Sequence, residues 1–479
     1  MNNILRHCEN ERSEGEAIHH PNRHIRSWIA ASLPLLAMTI LLALPARAAE
    51  EPLLDIQRVV SESGIEAWLV EDHSVPVIAV KFSFLGAGAK QNDAAAQGLA
   101  QLMSNTMDEG AGDLDDQAFQ KALADHSISL SFSSGRDHFG GAVKTLSKYQ
   151  DEAFDLLHIA LAQPRFDADA VERMRKANQS RIRSSLSDPK WIAARFLNDV
   201  AYAGHAYALN SGGTLTSLAT ITPEDLRDYH DAMIGRNNLR VAVAGDITAE
   251  AVKGVLDRVF SGLPKVSIAA SEDLDLQNQG EVVLYEKDIP QTIISILQPG
   301  ISRHNNDYHA AKVMNFILGS SGFGSRLTEE IREKRGLTYG IYSGIFGMAH
   351  FDGLSVSTST KNESVAEMLG LIKAEFEAMR EDGITTEELA DAKAYLLGSL
   401  PLSLTSTDKI AGLMLSLLVD DLPIDYLDNR AEAIRSMSVE DVNAVAEKLL
   451  TPEKFLTVLV GQPDGVEPSQ IRSEIPNVE

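Results

Sequence analysis

The pattern of apolar and polar residues predicts the same helix, turn and strand near the end of each half of the chain. Residues 222–247 (TPEDLRDYHDAMIGRNNLRVAVAGDI) and 438–463 (SVEDVNAVAEKLLTPEKFLTVLVGQP) both open with a hydroxyl residue that is followed by an acid three residues later. This spacing is typical of a helix N-terminus, where the two side chains cap free backbone amides. Apolar residues at helical spacing follow, and then an alternating strand that ends at glycine.

The two segments belong to a longer internal repeat. Ser438 follows Thr222 by 216 residues, and Gly461 follows Gly245 by the same number. Two weaker correspondences extend the repeat. The predicted strand at 75–84 corresponds to that at 289–298, each with a proline near its start, and the long amphipathic helix at 166–186 corresponds to that at 384–404. The order of elements predicts an α+β fold of two homologous halves, each a mostly antiparallel sheet packed with helices.

The same pattern divides the chain into four parts. Residues 49–266 and 282–479 are the predicted homologous domains, and the polar stretch 267–281 (SIAASEDLDLQNQGE) is the predicted linker. Residues 1–48 are the predicted leader. Its seventeen uncharged residues, 28–44, follow Arg23 and Arg26 and precede Ala46-Arg47-Ala48. This arrangement predicts a signal peptide that is cleaved near Ala48.

We therefore expect a periplasmic or secreted protein without a stable membrane span after cleavage. A retained N-terminal anchor is the alternative, and the long polar stretch before the apolar segment fits a start codon placed too early. The single cysteine, Cys8, lies in the leader, so the mature chain has no disulfide and no cysteine nucleophile.

The composition of the 479-residue chain disfavours two classes of protein, those that bind nucleic acid and those that span a membrane several times. The formal net charge of −25 and the pI near 4.9 argue against nucleic acid, because phosphate binding needs clustered Lys and Arg. The mean hydropathy of −0.10 excludes a multi-span membrane protein.

The segment 97–112 (QGLAQLMSNTMDEGAG) has the frame of a metal-binding helix. Leu99, Leu102, Met103 and Met107 form a predicted core stripe. With its Gly-Leu-Ala lead-in, its later Gly110 and the duplicated exported layout, the chain resembles the insulinase, pitrilysin and mitochondrial processing peptidase family of zinc peptidases (peptidase family M16). The resemblance covers nearly all of the mature chain. In that family a helix carries H-x-x-E-H, whose two histidines bind Zn²⁺ while the glutamate acts as the base.

Neutral residues occupy the corresponding positions of this chain. The motif positions fall on Gln101, Ser104 and Asn105. In the family a further glutamate downstream completes the zinc ligands, and the region that matches this distal ligand, around Ser180 and Arg181, has no carboxylate. Amides are poor Zn²⁺ ligands beside imidazole, and serine cannot replace the carboxylate base. No two histidines of the mature chain are four residues apart. The resemblance therefore implies a degenerate zinc motif, no metal in this chain, and no peptidase activity of the chain alone.

The second half retains the family's other pattern, in 318–344 (LGSSGFGSRLTEEIREKRGLTYGIYSG). We predict a helix from Arg326 to about Arg335 that ends at Gly336, and then a strand at 337–344. In the family, an Arg and a Tyr spaced like Arg332 and Tyr339 bind the substrate backbone and stabilise the tetrahedral intermediate. The alternative is a structural role for both residues. Arg332 would then be an ion-pair partner of Glu329 or Glu333, and Tyr339 would be a half-buried strand residue.

The resemblance thus implies the non-metal, substrate-binding subunit of a heterodimeric zinc endopeptidase. A homologous partner with H-x-x-E-H would hold the zinc, and Arg332 and Tyr339 would act in trans on a peptide that adds a strand to a sheet edge. The alternative is an inactive peptide-binding or scaffold protein of the same fold, comparable to the core subunits of the respiratory bc1 complex. An autonomous peptidase of another type is disfavoured, because the chain has no G-x-S-x-G and no mature cysteine.

Overall fold

The computed structural model describes residues 52–321, 324–476 and 478; the predicted leader and its cleavage site lie outside these residues. The strands are β1 (Gln57–Val60), β2 (Glu66–Glu71), β3 (Val77–Phe84), β4 (Ser129–Ser134), β5 (Phe139–Leu146), β6 (Leu239–Gly245), β7 (Val282–Glu286), β8 (Gln291–Pro299), β9 (Ile341–Met348), β10 (Phe351–Lys361), β11 (Leu456–Gly461) and β12 (Gln470–Arg472).

The helices of the first half are α1 (Leu99–Ser104), α2 (Asp116–Asp125), α3 (Gln150–Ala162), α4 (Ala168–Ser185), α5 (Pro189–Ala201), α6 (Leu215–Thr220), α7 (Pro223–Met233) and α8 (Ala249–Phe260). Those of the second half are α9 (Tyr308–Asn315), α10 (Val365–Asp382), α11 (Thr386–Ser403), α12 (Thr407–Val419), α13 (Tyr426–Ser436) and α14 (Val439–Leu449). Two π-helical segments, Phe316–Ser320 and Thr328–Glu333, lie between α9 and β9.

The strands form two mixed six-stranded sheets with the same internal order. The first sheet runs β1-β2-β6-β3-β5-β4 and the second β12-β7-β11-β8-β10-β9. The pairs β2–β6 and β7–β11 are parallel, as is β12–β7, and the other pairs are antiparallel. The α+β architecture of two homologous halves is therefore confirmed.

The predicted caps and closing glycines explain why both halves end alike. Thr222 and Ser438 precede α7 and α14 as capping boxes, in which Asp225 and Asp441 accept from the backbone N–H of the hydroxyl residue at 2.7 and 2.8 Å. Gly245, at the end of β6, has φ of 124°, and a Cβ there would lie 2.0 Å from the carbonyl oxygen of Val77. Only glycine fits this close approach.

Each sheet is covered on one face by a helix from the opposite half. The first-half helix α5 packs against β8 and β11 of the second sheet, through Ile192, Phe196 and Val200. The second-half helix α12 packs against β2, β3 and β6 of the first sheet, through Ala411, Met414 and Leu417. This reciprocal exchange joins the halves into one compact unit. An amphipathic pattern states that a helix face is buried but not which sheet covers it, so the exchange was not predicted.

Residues 267–281, the predicted linker, form neither helix nor strand but are packed against α5. Leu276 is buried, the backbone N–H of Gln277 donates to the carbonyl of Ala201 at 3.0 Å, and Asn278 Nδ2 donates to that of Val200 at 2.8 Å.

Within the described residues no single helix is long and apolar enough to cross a membrane. The bent helix pair α11–α12 meets the length and composition of a broken membrane span, and no other criterion.

Candidate functional site

Helix α1 places the predicted motif positions at the edge of the hydrophobic core of the first half. Gly98, which precedes it, has φ of 87°, and a Cβ there would lie 2.7 Å from Gly213 Cα. The predicted core stripe is confirmed, because Leu99, Leu102, Met103 and Met107 are buried. The helix is only six residues long, so its orientation depends on this packing rather than on helical propensity.

The structure brings Gln101, Ser104 and Asn105 together in one hydrogen-bonded group. Gln101 Nε2 donates to Ser104 Oγ at 3.1 Å and to Asn105 Oδ1 at 3.0 Å, and Ser104 Oγ donates to the Gln101 carbonyl at 2.8 Å. Asn105 Nδ2 in turn donates to Asn178 Oδ1 at 2.7 Å. The four side chains are neutral and hold one another in place.

Asn178 is the residue of α4 that meets this group, and sequence analysis missed it. The prediction centred the distal region on Ser180 and Arg181, but both are exposed, whereas Asn178 is buried on the face of α4 that carries Val171 and Ile182. A lone amide on an otherwise apolar stripe was the available signal. Its Nδ2 has no hydrogen-bond partner within the part of the chain described.

The donor set does not suit the zinc ion of the zinc peptidases. It contains no imidazole and no carboxylate, and among the described residues no three His, Asp or Glu side chains are grouped as metal ligands. We therefore assign no chemical step to a metal held by this chain.

Asp108 follows Asn105 by three residues, and burial raises the pKa of its carboxyl to about 6. The pKa of the same carboxyl is about 4 in the unfolded chain. Between about pH 4 and pH 6 the folded protein therefore holds a proton that the unfolded chain has released. The ionised carboxylate therefore destabilises the fold at neutral pH, and this penalty disappears as the pH falls towards 4.

We expect Asp108→Asn to raise the free energy of unfolding by about 1–2 kcal/mol at pH 7.5 and by almost nothing at pH 4. Urea titrations at both pH values measure the difference. Asp228→Asn, at an exposed residue of α7, is the control. An equal gain at both pH values would show that the amide acts through packing rather than through charge.

The second predicted pair, Arg332 and Tyr339, flanks the end of a π-helical segment. The segment ends at Glu333, two residues before the predicted end near Arg335, and Gly336 follows it with φ of 64° and its N–H donating to the Arg332 carbonyl at 2.9 Å. The predicted strand at 337–344 is wrong in its start, because β9 begins only at Ile341. Thr338 Oγ1 accepts from the Gly340 backbone N–H at 3.2 Å, so a local turn replaces ladder pairing. Tyr339 therefore lies in a loop rather than in a strand.

The two side chains are in contact. The guanidinium carbon of Arg332 lies 5.2 Å from the centre of the Tyr339 ring, a cation–π distance, and its Nε lies 3.5 Å from Glu333 Oε1. Tyr339 is 91% exposed, which contradicts the half-buried alternative. A phenol and a guanidinium thus stand side by side on the surface, and both can donate hydrogen bonds to an oxygen of a bound molecule.

Strand β9, which follows this loop, is the last strand of the second sheet. Its Tyr342 side chain is also exposed. An edge strand presents backbone N–H and C=O groups with which an extended peptide can pair. The Arg–Tyr pair therefore lies next to a surface suited to binding a peptide in extended form.

A buried polar network that was not predicted joins the two halves near a cleft of about 1040 Å³. Lys90 Nζ lies 2.6 Å from His350 Nε2, the Tyr207 hydroxyl donates to Asp137 Oδ1 at 2.5 Å, and the Ala349 backbone N–H donates to Asp137 Oδ2 at 3.2 Å. Burial raises the pKa of the Tyr207 phenol, as does the Asp137 carboxylate. These residues come from distant segments, so only the fold brings them together.

The fold and this site define a two-half α+β protein of the zinc-peptidase type whose zinc positions hold neutral amides. A family model described as "Insulinase (Peptidase family M16)" matches residues 71–214, and one described as "Peptidase M16 inactive domain" matches residues 220–396. The chain belongs to peptidase family M16.

Relatives of known sequence or structure agree with this assignment. The "Non-peptidase homolog YmxG" of Helicobacter pylori is 28% identical over 390 residues, which cover 80% of this chain and 89% of that protein. The "Uncharacterized zinc protease YmxG" of Bacillus subtilis is 22% identical over 86% of this chain and 100% of that protein. A crystal structure of a "peptidase M16 inactive domain" from Pseudomonas fluorescens has a TM-score of 0.81 and 28% identity, and the match covers 87% of this chain and all of that one.

Proposed function

We propose that this protein is the non-metal, substrate-binding subunit of a two-chain zinc endopeptidase that acts on peptides outside the cytoplasm. On this proposal it contributes Arg332 and Tyr339 in trans, and a homologous partner with H-x-x-E-H contributes the zinc ion and the base. The chain alone would then hydrolyse no peptide. The leader pattern at residues 28–48 supports export, and the resemblance supports the pairing with a homologue.

The observation that carries the proposal is the contrast between the two candidate sites. The first-half positions hold four neutral side chains bonded to one another, so they offer neither a metal ligand nor a base. The second-half pair offers two hydrogen-bond donors at the surface, beside β9, which is the last strand of the second sheet among the described residues. A chain with substrate-binding groups but no hydrolytic groups needs a second chain for turnover.

The test is to capture the tagged mature chain from its native periplasm and to assay peptide hydrolysis with and without a zinc chelator. We expect chelator-sensitive cleavage that co-purifies with a homologue bearing H-x-x-E-H. Zinc re-addition after chelation should restore that cleavage.

Two results would contradict the proposal in different ways. Chelator-insensitive cleavage by the chain alone would mean that it carries catalytic groups of another kind. A chain that is recovered alone, binds peptides and hydrolyses none would be a binding protein on a peptidase fold. The description of the Helicobacter relative as a non-peptidase homolog favours this alternative.

A further inference from the structure

Strand β10 extends beyond its partner β9 at the end nearest the Arg–Tyr pair. The two strands pair up to Thr358 of β10, which lies opposite Ile341 of β9, while β10 continues to Lys361. Residues 337–340 directly precede Ile341, so the loop that carries Tyr339 begins where the strand pairing stops. Side chains of β10, rather than its backbone, are therefore the groups that can hold this loop.

Two buried threonines lie on this unpaired end of β10. Alternate residues of a strand point to the same side of the sheet, and Leu354 and Val356 of β10 belong to the core of the second half. Thr358 and Thr360 continue that row, and both are buried. A buried hydroxyl costs free energy unless it forms a hydrogen bond, so each threonine needs a partner within the protein.

The loop supplies these partners on both sides of Tyr339. The Thr360 hydroxyl donates to the carbonyl of Leu337 at 2.6 Å. The Thr358 hydroxyl donates to the carbonyl of Gly340 at 3.0 Å. The two threonines thus hold the backbone two residues before Tyr339 and one residue after it.

The Tyr339 side chain contributes little to its own placement. It is 91% exposed, and its described contact is with the guanidinium of Arg332. The turn around it is joined to β10, since Thr338 Oγ1 accepts from the Gly340 N–H and lies 3.1 Å from Thr358 Oγ1. The direction of the Tyr339 phenol therefore depends on the backbone that the threonines hold.

The first half differs at the corresponding positions. Aligning the strands at 75–84 and 289–298 places Val143 of β5 at the position of Thr358, and Thr145 at that of Thr360. Val143 is a core residue, and the Thr145 hydroxyl donates to the carbonyl of its own neighbour, Leu146, at 3.2 Å. The pair of loop-holding hydroxyls thus belongs to the half that carries the Arg–Tyr pair.

We propose that Thr358 and Thr360 are positioning residues for Tyr339. By holding the carbonyls on either side of it, their hydroxyls direct the Tyr339 phenol towards the bound peptide, and neither hydroxyl touches that peptide. The effect on turnover rests on the proposed function, whereas the hold on the loop is a property of this chain alone. The two parts are therefore measured separately.

Hydrogen exchange in the mature chain without a partner tests the hold on the loop. Thr358→Val and Thr360→Val each remove one hydroxyl and nearly keep the side-chain shape. The hydrogen-bonded amides of Leu337 and Gly340 should exchange about tenfold faster in each variant, because a buried carbonyl loses its donor. Thr145→Val removes a buried hydroxyl from the corresponding strand of the first half and should leave exchange in the loop unchanged.

Kinetics of the two-chain enzyme test the consequence for the reaction. Thr360→Val should lower kcat about tenfold with KM little changed, and Thr360→Ser, which keeps the hydroxyl, should restore kcat. In a chain that already carries Tyr339→Phe, adding Thr360→Val should cost little more, because the threonine acts through the phenol that is missing. A role of Thr360 in stability alone would give the same loss in both backgrounds.

Three results would overturn the proposal. The first is unchanged exchange in both valine variants, and the second is an equal loss of kcat from Thr360→Val with and without the Tyr339 hydroxyl. The third is full turnover of Thr360→Val where Tyr339→Phe lowers it. Full turnover of Tyr339→Phe itself would overturn the role of Tyr339 in the reaction, whereas exchange in the chain alone would still support or overturn the hold on the loop.

Discussion

Leu417→Ala on α12 is expected to destabilise the protein by about 2–5 kcal/mol, the range for removing a large aliphatic side chain from a well-packed core. Leu417 is fully buried in the cluster that α12 forms with Trp68, Ala79 and Ala242 of the first sheet. Although Leu417 belongs to the second half of the sequence, the loosened contacts belong to the sheet of the first half. We therefore expect the local consequences of the change to appear in that sheet.

Urea unfolding measures the total loss, and hydrogen exchange of backbone amides locates it. Protection should fall most in β3 and β6, against which α12 packs. Leu402→Ala is the control, since that leucine is 75% exposed at the end of α11 and its removal should change stability by less than about 0.5 kcal/mol. If the loss of protection were confined to β8 and β11, the exchange of helices between the halves would not describe the protein in solution.

Local patterns carried most of what the sequence could predict. The capping boxes at Thr222 and Ser438 and the closing glycine at Gly245 depend on neighbours a few residues away, so their spacing was sufficient. The grouping of Gln101, Ser104 and Asn105 was also predictable, because residues three and four apart share a helix face.

Features that depend on contacts between distant segments could not be predicted. The pairing of Asn105 with Asn178 and the placement of α12 on the first sheet are decided by packing over 73 and more than 150 residues. The late start of β9 has another cause, since the hydroxyl of Thr338 competes with strand pairing at Gly340. In each case the local pattern was compatible with more than one arrangement.

If this chain is the proposed subunit, Tyr339→Phe is expected to lower the turnover number of the reconstituted two-chain enzyme by about 10²–10³-fold, the usual cost of removing one donor to a developing oxyanion. The change removes a single hydroxyl. Because Tyr339 is 91% exposed and keeps its ring against Arg332, the fold and the cation–π contact should be unaffected. Binding of the partner should also be retained, so the loss would be one of chemistry rather than of assembly.

Steady-state kinetics of the purified complex decide whether Tyr339 acts in the transition state. A fall in kcat with KM little changed means that the phenol stabilises the transition state, whereas a rise in KM alone means that it only binds the peptide. Tyr395→Phe removes the same hydroxyl from an exposed position on α11, outside the proposed peptide-binding surface, and should leave both constants unchanged. If both variants keep full turnover, the phenol of Tyr339 has no part in the reaction, and the in-trans role proposed for it fails even if the chain proves to be the partner of a zinc peptidase.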